Sequence, residues 1–178
     1  RRRGRRSLTP SSARGADLIV VHHGLVWGAG LERVTGAVAR RLGLLLSRGI
    51  SLAAYHLPLD KHVTLGNNAG LADALGLPAQ RRDFGEVRGQ ALGLLADLDV
   101  AISIDELSAR ISRGILSGAA PRFVFPYGPS TLRRIGLCSG AAGDLLEAAA
   151  RAGCEAYVTG ELAERAGELA RELGVTLV

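Results

Sequence analysis

The last quarter of the chain constrains its fold most. From Arg134 onward, short apolar segments alternate with helical ones: a strand to Cys138, a glycine turn from Ser139 to Gly143 and a helix from Asp144 to Ala152, followed by a strand from Glu155 to Thr159, a helix from Glu161 to Leu173 and a strand from Val175 to Val178. Apolar strands of this length separated by single helices are the pattern of βαβ units, whose parallel strands are covered by helices on both faces. The spacing predicts an α/β fold with mainly parallel sheets.

The same rhythm opens the chain. Ala16 to Val21 is a short run containing β-branched residues that ends at His22-His23-Gly24, and it reads as a buried strand emptying into a loop. Leu31 to Ser47 carries apolar residues at helical spacing, with Arg33, Arg40 and Arg41 off that stripe, and Gly49 is placed to stop the helix. Ile50 to Tyr55 is a second strand, and Pro58 predicts a loop over 56–60. Asn67 and Asn68 are candidate caps of a helix running to Leu75. The stretch from Gln80 to Ala101 reads as loop and strand. Ser103 or Asp105 then caps a helix across Leu107, Ile111 and Leu116, and Arg122 to Phe125 reads as a strand. Gly15 to His23 also lines up with Gly153 to Glu161 in its order of glycine, acid, apolar strand and polar tip, which would make the two ends related halves with Glu161 in the place of His23.

Composition narrows the function classes. Of 22 basic residues, five are Arg1, Arg2, Arg3, Arg5 and Arg6, and the rest balance the 17 acidic ones, so the net charge of +5 is not a basic face of a folded domain. Nucleic acid is therefore not expected as a partner. Residues 1–12 read as a disordered or spurious arginine-rich start, and 13–178 as a single α/β domain. The chain holds no methionine, and a fragment or a misplaced gene start is the corresponding expectation. Cys138 and Cys154 lack the spacing of a redox or zinc motif and read as buried thiols of a reducing compartment. Every apolar stretch is interrupted well before ~18 residues, so no membrane span is expected, and the start lacks a signal peptide pattern. A cytoplasmic location follows as the expectation.

The chemistry lies in two clusters. Consecutive strand side chains point to opposite faces, so His22 and His23 are either one core and one exposed imidazole or, if the backbone turns there, two imidazoles aimed into one cleft. A strand's carboxyl end is where α/β sheets place ligand sites. His56 and Asp60 flank Pro58 after the next strand, and imidazole with carboxylate from neighbouring loops is ligand chemistry for Zn, Fe, Mn or Ni. The turn Gly136-Leu137-Cys138-Ser139-Gly140-Ala141-Ala142-Gly143-Asp144 lacks the spacing and lysine of a phosphate loop, and Asp144 would repel an anion, so it reads as a tight structural turn.

Ala16 to Gly24, Tyr55-His56-Leu57-Pro58-Leu59-Asp60-Lys61-His62, Leu65-Gly66-Asn67-Asn68-Ala69, Ser139 to Asp144 and Thr159-Gly160-Glu161 together resemble the Nif-three-like dinuclear metal centre proteins, the hexameric family labelled GTP cyclohydrolase 1 type 2 homologues. The resemblance implies a Nif-three-like fold with two divalent metal ions per subunit, of Zn, Fe, Mn, Ni or Mg, held by residues matching His22, His23 and Asp60. His56 and Glu161 become supporting or proton-transfer residues. It also implies a homohexamer and a metal-dependent hydrolase acting on a nucleotide-like or other small substrate, the alternative being a non-enzymatic metal-handling or regulatory hexamer. The family completes its site with a Gly-His-x-x-x-Glu motif downstream of the strand matching Val175 to Val178. A domain incomplete at its C-terminus, with weak metal binding, is the corresponding expectation.

Overall fold

The computed structural model describes residues 15–26 and 31–178, and the arginine-rich start lies outside them. The chain forms two compact units, divided between Leu59 and Asp60.

The first unit is built on two parallel strands, β1 (Leu18–Val21) and β2 (Ser51–Ala54), paired from Leu18 opposite Ser51 to Val21 opposite Ala54. Helix α1 (Gly36–Ser47) connects them. It starts at Gly36 rather than at Leu31, because Gly36 holds φ +56 and a right-handed helix cannot be continued back through that residue. The helix stops as expected, with Gly49 at φ +61 and the Ile50 N–H returned to the Leu45 carbonyl. Ile19, Leu45 and Ile50 form the small core. Strand β1 is buried on that side only. Leu18 and Val20 are 55% and 62% exposed, so the expected fully buried strand is a half-buried one.

A single helical turn, α2 (Leu57–Asp60), replaces the loop expected over 56–60. Pro58 is compatible with it because the first turn of a helix needs no N–H from that position. The His56 carbonyl accepts the Leu59 N–H at 3.0 Å.

The second unit contains helix α3 (Asn67–Ala74), strands β3 (Arg81–Val87) and β4 (Gln90–Ser103), helix α4 (Ile104–Gly114), and strands β5 (Phe125–Pro126) and β6 (Thr131–Cys138). After a 3-10 turn over Gly143–Leu145 come helix α5 (Leu146–Arg151), strand β7 (Ala156–Thr159), helix α6 (Ala166–Leu173) and strand β8 (Thr176–Leu177). The strands make one sheet in the order β3-β4-β6-β7-β8-β5. The pairs β6–β7 and β7–β8 are parallel, as the βαβ rhythm requires, whereas β3–β4, β4–β6 and β5–β8 are antiparallel. The chain is thus α/β with parallel strands in both sheets, and the antiparallel pairings come chiefly from the stretch whose pattern was least regular. There the hairpin β3–β4 turns through Arg88 and Gly89, both at positive φ.

Alternation along the central strands divides the core in two. Ala96, Ile135, Leu137, Ala156 and Val158 face Leu75, Leu107 and Ile111 of the α3–α4 side. Leu95, Cys138 and Tyr157 face Leu146, Ala149, Ala166 and Ala170 of the α5–α6 side. Helices therefore cover both faces of this sheet, which is why its central strands carry no polar face. Ser103 caps α4, its Oγ accepting the Glu106 N–H at 3.1 Å. Leu18–Val21 and Ala156–Thr159 occupy equivalent places in the two segments that line up in sequence, and each is followed by a helix and a parallel strand.

Candidate metal centre

Strands β1 and β2 run parallel, so their carboxyl ends lie side by side, and the Tyr55 N–H still donates to the Val21 carbonyl at 2.9 Å just beyond the ladder. His22 and His23 follow the last residue of β1, and His56 follows Tyr55. The backbone bends at His22 and His23 instead of continuing extended, which removes the opposite-face constraint on neighbouring side chains. Of the two readings open for the histidine pair, the structure takes the convergent one. The rings of His22 and His23 have centroids 4.6 Å apart, and the His56 ring stands edge-on to both, at 4.9 Å from His22 and 5.0 Å from His23. One ring nitrogen from each residue lies within 4.8 Å of the others. His22 and His56 are half-buried and His23 is exposed, so the cluster is open to an ion from solvent.

Three convergent imidazoles are a donor set suited to a first-row transition ion, and three protein ligands plus an open position are what catalytic zinc sites use. His56, read from the residues as ligand chemistry beside Asp60 and given a supporting or proton-transfer role under the family resemblance, sits among the candidate ligands themselves. Its signal was the parallel pairing of two strands that are each followed by histidine within two residues.

Asp60 closes helix α2. It is only 6% exposed, and its Oδ1 accepts a hydrogen bond from the Asn67 amide at 2.6 Å. Neither Asn67 nor Asn68 caps α3. The cap is Gly66, in extended backbone at φ −73 and ψ 155, and the side chains of both asparagines are turned to other partners. Asn68 is fully buried. Its Oδ1 accepts the Ser139 N–H at 2.7 Å, and its amide donates to the Leu92 carbonyl at 2.8 Å. His62 is exposed, with Nδ1 accepting the backbone N–H groups of Leu65 at 3.1 Å and Thr64 at 3.3 Å, a local turn contact.

Glu161 is exposed and lies beyond the carboxyl end of β7, with its N–H donating to the Gly140 carbonyl at 3.0 Å. It lines a cleft of about 1070 Å³ in the second unit, together with Asn67, Leu71, Ile111, Phe123 and Thr159. The cysteines behave as buried structural residues. Burial pushes the Cys138 thiol up to about 11 and the Cys154 thiol up to about 12, so both are protonated and poor ligands at neutral pH. No helix among the described residues is long and apolar enough to cross a membrane.

The chain is similar to known proteins. A protein called GTP cyclohydrolase 1 type 2 homolog from Archaeoglobus fulgidus is 37% identical over 171 residues, which cover 96% of this chain and 66% of the relative. A protein of the same description from Halobacterium salinarum is 41% identical over 163 residues, covering 92% of this chain and 64% of the relative. Among solved structures, the ybgI protein superposes with a TM-score of 0.78 at 34% identity over 96% of this chain and 66% of its own. TTHA1606 from Thermus thermophilus superposes with a TM-score of 0.71 at 30% identity, over 94% of this chain and 64% of its own. The chain thus spans just under two thirds of the length of these relatives. The family model described as Duf34/NIF3 (NGG1p interacting factor 3) matches residues 6–178, and the chain belongs to that family.

Proposed function

We propose that this chain carries ligands of a dinuclear metal site, and that the protein as a whole is a metal-dependent hydrolase acting on a nucleotide-like or other small substrate. The observation that carries the reading is the convergence of His22, His23 and His56 within ligand reach of one another at the carboxyl ends of two parallel strands. Asp60, a buried carboxylate one helical turn after His56, is proposed as the anionic ligand. The imidazole-rich set favours Zn or Fe over Mg, which prefers oxygen donors. A bound ion of this kind supplies Lewis-acid polarisation and a water acidic enough to ionise near neutral pH. The protein's own contribution is to hold three imidazoles within ligand reach of one another, two of them half-buried, with Glu161 proposed as a proton carrier. The relatives' name points to nucleotides as the first substrates to test, and the homohexamer is proposed for the whole protein.

The chain is expected to take up Zn²⁺ weakly in equilibrium dialysis, with bound metal read by elemental analysis, and His22→Ala and His56→Ala are expected to lose it. Turnover is then sought with GTP, phosphoesters and amides, using the same variants as blanks. Equal metal content in wild type and both variants would refute the site. Retained metal without turnover of any of these substrates in the whole protein would refute the hydrolase and leave a metal-handling role.

A further inference from the structure

We infer that Asn67 is a positioning residue that aims the Asp60 carboxylate, and that Asn68 is the anchor that holds Asn67 in place to do so. The inference rests on the reading of Asp60 as a metal ligand and adds the residue that orients it.

Asp60 is nine-tenths buried, and Asn67 donates to its Oδ1 at 2.6 Å, a short charge-assisted hydrogen bond. A carboxylate has two oxygens and roughly four lone-pair directions. A donor fixed on one oxygen sets the plane of the group and so the direction of the remaining lone pairs. An amide does this without neutralising the charge, whereas a lysine or arginine in its place would compete with a cation for the same carboxylate. Outer partners that orient ligating carboxylates in this way are a general feature of metal sites.

The donor must itself be held. Asn67 is the first residue of α3 and its neighbour Asn68 is fully buried, joined to the backbone of Ser139 at the end of β6 and of Leu92 in β4. Two adjacent amides thus divide the task, since consecutive helix positions point about 100° apart on a helix of 3.6 residues per turn. The inner one pins the helix start to two strands, and the outer one reaches Asp60.

The test is a Co²⁺ titration of the full 178-residue chain followed by the d–d absorbance bands, with thermal melts of each protein without metal. Asn67→Leu keeps the side-chain size and removes the donor, and its exposed position lets it fold. It is expected to weaken Co²⁺ binding ~10–100-fold, the usual effect of removing such a partner, and to shift the d–d bands, while the metal-free protein still melts cooperatively with a modestly lowered midpoint. Asn67→Gln, which restores an amide on a longer arm, is expected to recover part of the affinity. Wild-type affinity and spectrum in Asn67→Leu, with affinity lost in Asp60→Ala, would overturn the inference and leave the metal site standing. Unchanged affinity in Asp60→Ala would overturn the ligand reading itself, and the inference with it.

Discussion

Replacing Asn68 by alanine is expected to cost the second unit about 3 kcal/mol. The side chain is fully buried and makes two good hydrogen bonds to backbone, with a weak third contact from its amide to the Cys138 sulfur at 3.9 Å. Alanine leaves the Ser139 N–H without its 2.7 Å acceptor, and an orphaned donor costs about 1–3 kcal/mol. The Leu92 carbonyl loses a 2.8 Å donor but keeps a second lone pair, so about 1 kcal/mol is expected there. The backbone hydrogen bonds of α3 are untouched, because Gly66 and not Asn68 is the cap. The assay is urea unfolding followed by circular dichroism, with the slope compared to show that the unfolded state is unchanged. For a chain of this size, a loss of that order lowers the melting midpoint by about 6–12 °C.

Asn68→Asp separates the two bonds. It keeps an acceptor for Ser139 but loses the donor to Leu92 and puts a charge in a buried place, so it is expected to be at least as destabilising as alanine. Asn67→Ala removes the donor to the buried Asp60 carboxylate and is expected to cost about 1–2 kcal/mol, less than Asn68→Ala. A loss below about 1 kcal/mol for Asn68→Ala would refute the reasoning, because it would mean that water or a small backbone shift satisfies Ser139 and Leu92. Asn68 would then no longer be an anchor.

Gly114→Ala places a Cβ against the Ala74 carbonyl oxygen where α3 and α4 approach, and an overpacking cost of about 1–3 kcal/mol is expected in the same urea assay; wild-type stability would show that the two helices are free to separate. His56→Ala should abolish Co²⁺ binding measured by absorbance titration while His62→Ala leaves it intact, and the opposite order would move the site. The buried thiols should react with a disulfide reagent at pH 8 only at the rate of unfolding. Because burial raises the folded values of Cys138 and Cys154 above their ordinary 9.0, to about 11 and about 12, their contribution to stability is complete below pH 9 and is lost between there and pH 12. A urea midpoint that does not fall across that window would contradict the burial account.

The parts of the fold legible in sequence are those where one local rule decides. Gly49 stops a helix, Ser103 with Glu106 starts one, and the apolar strands of the last βαβ units need cover on two faces. The hairpin β3–β4 was hidden because its turn is Arg88-Gly89, without the asparagine or aspartate that usually marks two positive φ values, and because Phe84 pairs with Gly93, which breaks the apolar alternation. A Cβ on Gly93 would meet the Phe84 ring at 2.6 Å, so that glycine is there for a neighbour on another strand. The exposed Leu18 and Val20 likewise show that an apolar run does not say how many of its faces are covered.

The site divides along the same line. The histidine pair was visible because its two residues are adjacent, and the bend after Val21 is all that convergence needed. The place of His56 in the cluster depends on β1 and β2 being parallel neighbours in a register that sets Val21 opposite Ala54. The asparagines are the harder case. Both are good helix caps by residue type, and a sequence offers no ground for separating them. What separates them is that Gly66 already provides the cap, which frees two amides for other work at positions that diverge around the helix. Burial then divides the work: the buried amide satisfies the backbone of Ser139 and Leu92, and the exposed one donates to the Asp60 carboxylate.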